Sequence, residues 1–346
     1  MKKITIILGS IIIVLVLAVS GQIFYIMLNQ TPVGIPDQIS DANLSVNVML
    51  TRLDNWKKII NNPVISESDM VILDGSTATI PITAELFRQF YGYSDNEINQ
   101  NPVVFHSTTH YAYTNLIDCE YRYFNTGSGY EKYPFPISLI FVTPPSDEEK
   151  QYAKDNDVEL DLIPVAKDGF VFITHKNNPV DSLTVEQIQD IYMGEITNWN
   201  QVGGEDLEIK AYQREKNSGS QTAMEQMVMQ GKYIQSPIDV KVQVGMGSLV
   251  DAVAEYENGP ASIGYTYYYY INNLYKNDNI KVIKINEAAP TNDNLISGTY
   301  PFSTSYFAVM RGDEPTDSPA RKLRDFLLTP EGQNVIAMAG YCKAVN

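Results

Sequence analysis

Twice along this chain a short apolar run gives way to a loop of small residues and then to a helical pattern. The first unit is Met70-Val71-Ile72-Leu73, then Asp74-Gly75 and Ser76-Thr77-Ala78-Thr79-Ile80-Pro81, then a helix from about Thr83 to Tyr91. The second runs from Ala211 through Arg214 and Ser218-Gly219-Ser220 into a helix whose apolar positions are Met224, Met227 and Val228. A four-residue apolar run stopped by Asp-Gly is a buried-strand pattern, and Pro81 falls near the helix's first turn, where its missing N–H does no harm. Strands that feed helices through tight loops predict an α/β fold, with helices laid against a sheet.

The rest of the chain keeps this alternation. Further strand patterns are Leu139–Val142, Gly169–Ile173, Ile209–Tyr212 and Ala261–Tyr265. Helical patterns lie at Asp147–Asp155, Thr184–Met193, Leu249–Glu257 and Ala320–Leu328. No solenoid-length repeat and no low-complexity segment interrupts them. Cys119 to Ser138 is different: Tyr121 and Tyr123 alternate with polar residues, and Asn125-Thr126-Gly127-Ser128-Gly129 is a turn cluster. This predicts a small hairpin inserted between a helix and a strand.

The first thirty residues form a separate object. Lys2 and Lys3 precede an uncharged run from Ile4 to Leu28. As a helix it spans roughly 37 Å, more than the ~30 Å hydrocarbon core of a bilayer. The lysines predict a cytoplasmic N-terminus, with everything after Gln30 outside. A signal peptide cleaved after Ala18-Val19-Ser20 is the competing reading. The uncleaved anchor is preferred because Ile23 to Leu28 continues the apolar run past that point. Residues 31–65, polar and irregular, are expected to be a stalk. Cys119 and Cys342 lie far apart in sequence, and either a disulfide or two free thiols fits.

The second unit carries the clearest chemistry. A helix that begins at Gly219 among small hydroxyl residues leaves N–H groups unpaired and unobstructed at the positive end of its dipole. Arg214, four residues before Ser218, adds a planar fork of donors that fits two oxygens of one anion. A capped helix beside a surface arginine would show the same residues. With a formal net charge of −16, the chain does not attract nucleic acid or anionic lipid, and an anion must be held by local donors. Little else points to a reaction. His106 and His110 have i, i+4 spacing, but the stretch Pro102 to Thr109 reads as a strand entering a loop, so no metal site is expected. No phosphate-cradling Gly-Lys-Ser/Thr loop, nucleophile elbow or local Ser-His-Asp arrangement is present. The chain is expected not to be an enzyme and to need no cofactor. The run Tyr265 and Tyr267–Tyr270 could be a sugar-stacking surface, but a strand and crossover packed inside the protein is the stronger reading.

Several ordered blocks resemble one family. Ile196-Thr197-Asn198-Trp199 with Val202-Gly203-Gly204, Arg214 through Ser220, and Gly245-Met246-Gly247-Ser248 with Asp251-Ala252-Val253 are three of them. Ile263-Gly264-Tyr265, Gly298-Thr299-Tyr300-Pro301 and Phe326 through Gln333 complete the set. From about Val71 to Lys343 the chain is similar to the phosphate-binding substrate-binding proteins of ABC transporters. That resemblance implies a two-lobed periplasmic-binding-protein-like fold with a hinge and a ligand cleft between lobes. Lobe 1 would hold 66–168 and 268–346, and lobe 2 would hold 169–267. It implies a monomer that captures inorganic phosphate or a similar oxyanion for an ABC permease; the N-terminal helix, read from the apolar run, would tether it to the membrane. Carried over residue by residue, Thr79 and Ile80 would supply backbone N–H groups and the Thr79 hydroxyl. Thr109 would supply a hydroxyl, with Ser107 and Thr108 as rivals. Arg214, Ser218, Gly219 and Ser220 would complete the site. Where the family places a proton-accepting aspartate, this chain reads Val142-Thr143-Pro144-Pro145, so Thr143 would take that place as a neutral group. A surface sensor of the same fold, for another oxyanion or a carbohydrate and without a permease, is the alternative.

Overall fold

The computed structural model describes residues 56–100, 106–125, 130–235, 242–243, 245–255 and 259–345. Among them the chain runs through β1 (Ile72–Gly75), α1 (Ile80–Tyr91), α2 (Asp95–Gln100), α3 (Thr109–Ile117), β2 (Tyr121–Asn125), β3 (Tyr130–Val142), α4 (Asp147–Asp155) and β4 (Leu160–His175). It continues as β5 (Ser182–Leu183), α5 (Val185–Met193), β6 (Lys210–Ala211), β7 (Gln213–Arg214), α6 (Gly219–Ala223) with a π-helical extension Met224–Met229, β8 (Val242–Gln243) and α7 (Met246–Ala254). It ends as β9 (Ser262–Tyr267), a π-helical turn Tyr270–Leu274, β10 (Ile280–Ile285), α8 (Asn292–Ser297), β11 (Ser303–Arg311), α9 (Pro319–Leu327), α10 (Pro330–Met338) and β12 (Cys342–Lys343). The α/β expectation holds. Two helix starts have a plain local cause: Ser146 with Glu149, and Thr184 with Gln187, form reciprocal capping boxes.

Strand β4 organises the sheet. Its first part, Leu160–Gly169, pairs antiparallel with β11, which in turn pairs with β3, and β3 pairs parallel with β1. Its second part, Phe170–Thr174, pairs antiparallel with β9, and Phe172–His175 pairs with β10. One strand thus changes partners between Gly169 and Phe170. The β10 pairing also joins residues 280–285 to the same stretch of sheet as 262–267.

Asp168 sits at that change of partners and is buried. One carboxyl oxygen accepts the N–H groups of Gly169 at 2.7 Å and Tyr269 at 3.0 Å, and the other accepts the Tyr306 hydroxyl at 2.9 Å. It therefore ties the outgoing strand to the returning segment after β9. Burial raises its pKa to about 7, against the opposing pull of these three hydrogen bonds. An unfolded aspartate releases its proton near pH 4. The folded state therefore binds the extra proton between about pH 4 and pH 7, and stability is lost as pH rises through that window. Asp168→Asn keeps a neutral group in place. Its stability relative to the parent should climb across the window to as much as about 4 kcal/mol at pH 8. Urea melts of both proteins at pH 4.5 and pH 8 check this, and an equal difference at both values would refute it.

Residues 31–55 of the expected stalk and the anchor Ile4–Leu28 lie outside the described residues, and among the described residues no helix is long and apolar enough to cross a membrane. Residues 56–65 belong to the folded body rather than to a stalk. Ile60 and Ile65 are buried in the main core, and the Gln89 side chain takes the N–H groups of Ile59 and Ile60 while donating to the Lys57 carbonyl. The tyrosine run offers no sugar-stacking face: Tyr265, Tyr267, Tyr269 and Tyr270 are all buried. The predicted hairpin is present as β2 paired with the first half of β3, from Asn125↔Tyr130 to Tyr121↔Pro136. Cys119 is exposed and Cys342 half-buried, and both are free thiols.

Candidate functional site

β1 ends at Asp74-Gly75, and a 3-10 turn, Thr77–Thr79, leads into α1. The Thr79 hydroxyl is turned inward. It donates to the Phe141 carbonyl at 2.6 Å, and lies 2.9 Å from the Ser76 carbonyl and 3.2 Å from His106 Nδ1. The Thr79 N–H bonds back to Ser76 O and the Ile80 N–H to Thr77 O. The amides of this turn with no acceptor inside it are those of Thr77 and Ala78. His106 holds the turn from behind, with Nδ1 2.8 Å from the Ser76 carbonyl and Nε2 2.9 Å from the Thr83 hydroxyl. Burial lowers its pKa to about 4, so the imidazole is neutral. The two histidines do not share a face, because His110 instead meets Glu149, 3.1 Å away, on α4.

A second buried group orders the loop before α3. Asp74 is fully buried and accepts the N–H groups of Gly75 and Ser107 at 2.7 Å, the Ser107 hydroxyl at 2.5 Å and the Asn115 amide at 3.1 Å. Arg122 lies 2.8 Å from the same carboxylate. Ser107 is thereby committed to Asp74. Thr108 is exposed, with φ 78°, and Thr109 is buried. Of the three neighbouring hydroxyl residues, Thr109 faces Gly219: a methyl group on Gly219 would fall 2.8 Å from Thr109 Oγ1 and 2.5 Å from Thr143 Oγ1. Thr143 Oγ1 is buried with no hydrogen-bond partner among the described residues. The Tyr267 hydroxyl donates to the Gly219 carbonyl at 3.0 Å.

The second strand-loop-helix unit forms the other wall. Asn217, at φ 63°, turns the chain so that Ser218 caps α6, its hydroxyl accepting the Gln221 N–H at 3.2 Å. Gly219 and Ser220, both buried, carry the first amides of the helix that have no intrahelical acceptor. Arg214 is buried too. Burial pulls its pKa down, opposed mainly by Glu215, whose carboxylate is 3.5 Å from the guanidinium. The Arg214 N–H donates to the Tyr265 hydroxyl at 2.9 Å. At the rim, Glu148 on α4 takes Lys216 at 2.6 Å and the Asn217 amide at 3.0 Å, and Gln226 donates to the Pro145 carbonyl at 3.2 Å.

The structure thus brings Thr109, Thr143 and Gly219 together, with Ser218, Ser220 and Arg214 on the Gly219 segment. Thr79 connects to the group through Phe141, two residues before Thr143. No sequence pattern assigned Asp74, Tyr265, Tyr267 or Glu148 to the site. For the two tyrosines a signal existed, because residues two apart in a strand share a face. Among the described residues no cluster of His, Cys, Asp and Glu is arranged to hold a metal ion. The arrangement offers converging hydroxyls, helix-start amides and one buried guanidinium, a donor set suited to a small oxyanion.

A family model described as a PBP superfamily domain matches residues 122–331, more than half of the chain. The phosphate-binding protein PstS of Borreliella burgdorferi is 25% identical over 297 residues, covering 84% of this chain and 93% of that protein. The phosphate-binding protein PstS of Staphylococcus haemolyticus is 28% identical over 222 residues, covering 62% and 69%. A solved structure from Clostridium perfringens, described as a phosphate ABC transporter substrate-binding protein with bound phosphate, superposes with a TM-score of 0.56 at 27% identity, covering 79% of this chain and 99% of that one. A phosphate transport receptor from Vibrio cholerae shares the fold, with a TM-score of 0.55 at 23% identity over 79% and 99%. The resemblance read from the ordered sequence blocks is borne out: the chain belongs to the PBP superfamily and is similar to the phosphate-binding proteins of ABC transporters.

Proposed function

We propose that this chain captures phosphate outside the cytoplasm and delivers it to an ABC permease. What carries the reading is the approach of Thr109 and Thr143 to Gly219, on the segment that also holds the buried Arg214. The relatives named for phosphate binding, and the similar structure solved with phosphate, support it. In this reading the Arg214 fork and the Gly219 and Ser220 amides take the anion from one side. Thr109, Thr143 and the Thr77 and Ala78 amides take it from the other, in place of the Thr79 and Ile80 amides and the Thr79 hydroxyl, which are spent on the Ser76, Thr77 and Phe141 carbonyls. The lobes divide at the Asp168–Gly169 crossing of β4, and residues 280–285 follow lobe 2 because they pair with its part of that strand. Glu148, Lys216 and Asn217 hold the rim shut. Phosphate uptake by cells lacking the gene tests this. The wild-type chain should restore uptake at low phosphate and Arg214→Ala should not; equal rescue by both would count against the site.

Selectivity follows from Thr143. A carboxylate there would favour protonated phosphate and repel a fully ionised anion such as sulfate, and a threonine does neither. The wild type should therefore separate phosphate from sulfate poorly. Thr143→Asp should move the affinity ratio toward phosphate by about tenfold or more, since facing like charges cost several kcal/mol. Both anions need to be titrated at one pH and ionic strength. A wild type that already strongly prefers phosphate would show that another group accepts its proton.

The tether belongs to the same proposal. Ile4–Leu28 stays attached as an anchor with the binding domain outside. Mass spectrometry of the native protein should find the hydrophobic run intact, and a mature N-terminus at Gly21 would contradict this.

A further inference from the structure

Tyr265 and Tyr267 lie two residues apart on β9, so their side chains leave the same face of the strand. Both are buried among aromatic rings. Tyr265 lies 5.5 Å from Phe170 and 5.7 Å from Tyr192 between ring centroids, and Tyr267 lies 5.6 Å from both Phe170 and Tyr306. Their hydroxyls, however, end on the segment that carries Arg214 and Ser220. The Tyr265 hydroxyl accepts the Arg214 N–H at 2.9 Å and donates to the Gln221 side-chain carbonyl. Gln221 in turn donates to Glu225 at 2.9 Å, one turn further along the same helix. A phenol can accept and donate at once, so one hydroxyl joins the start of the loop to the first turn of the helix. The Tyr267 hydroxyl donates to the Gly219 carbonyl at 3.0 Å. That carbonyl shares a rigid planar peptide with the Ser220 N–H, so holding the oxygen also sets the direction of the Ser220 amide.

We infer that Tyr265 and Tyr267 are positioning residues of the oxyanion site, Tyr265 fixing the backbone at Arg214 and Tyr267 aiming the Ser220 N–H. The inference rests on the phosphate-binding reading above. Neither phenol touches the anion; each acts by keeping a donor of the site in place before the anion arrives. Preorganised donors spend none of the binding energy on ordering themselves. Burial holds both phenols in the protonated form, so the positioning persists across the neutral range.

The test is phosphate titration of the full-length chain and of Tyr265→Phe and Tyr267→Phe, which keep the rings and remove one hydroxyl each. Each variant should lose about three- to tenfold in affinity. Tyr300→Phe removes a buried hydroxyl that bonds Phe170 O, away from the loop, and should leave affinity unchanged. Tyr265→Phe is then repeated in an Arg214→Ala background. A residue acting through Arg214 should lose most of its effect there, whereas a general packing defect would persist. Thermal melts without phosphate confirm that each variant is folded. If the wild type binds phosphate and both variants bind equally well, or the Tyr265→Phe penalty is the same in both backgrounds, the inference is overturned and the site reading stands. A wild type that binds no phosphate overturns both.

Discussion

Arg214→Ala is expected to weaken phosphate binding by roughly ten- to a hundredfold, the worth of a charge-assisted bidentate contact of about 1.5–3 kcal/mol. The guanidinium is buried, and burial works against its charge. Glu215, 3.5 Å away and itself partly exposed, offsets only part of that cost. In the proposed site an anion would add to that compensation, so the arginine should contribute more to the bound state than to the empty one. Removing it should leave the unliganded protein as stable as the parent, within about 1 kcal/mol. The Arg214 N–H bond to Tyr265 is a backbone bond and survives the change. Arg214→Lys keeps the charge but loses the planar fork, and should fall between the two. Calorimetric titration paired with unliganded thermal melts checks both halves. A variant that binds as the parent does would show that the anion sits elsewhere.

Gly219→Ala should damage binding by a different route. The added methyl would lie 2.5 Å from Thr143 Oγ1 and 2.8 Å from Thr109 Oγ1, about 1 Å inside van der Waals contact. Gly219 is helical, so alanine suits its backbone and favours the local helix. The cost therefore appears only where the two walls meet. Overpacking of about 1–3 kcal/mol corresponds to roughly a five- to 150-fold loss of affinity. The clash belongs to the fold as it stands, so the expected signature is weaker phosphate binding together with a loss of stability of about the same size. Unchanged affinity would mean that the approach of Thr109 and Thr143 to Gly219 is not the ligand-holding arrangement.

What could be read from the sequence was what short stretches decide alone. Ser146 and Thr184 begin helices because their partners Glu149 and Gln187 lie three residues on. The two strand-loop-helix units were legible for the same reason, and they carried the α/β layers with them. What depends on distant partners was not legible. The choice among Ser107, Thr108 and Thr109 is made by Asp74, which claims Ser107 from another strand. The Thr79 hydroxyl is drawn inward by the Phe141 carbonyl, which no local pattern announces. Residues 56–65 look polar, but Ile60 and Ile65 find the core and Gln89 satisfies their neighbourhood's amides. The dense tyrosines were ambiguous because a tyrosine serves equally well on a surface and in a core when its hydroxyl has a partner. Tyr265 finds that partner in Gln221 and Tyr267 in Gly219.

The central claim is that one small oxyanion is held between the Thr109–Thr143 wall and the Arg214–Ser220 segment. Calorimetric titration of phosphate into the purified wild-type protein tests it most directly. One saturable site per chain is expected, with sulfate competing for the same site and both anions bound more weakly in Gly219→Ala. Absence of saturable phosphate binding, or phosphate binding that Gly219→Ala and Arg214→Ala leave untouched, would contradict it.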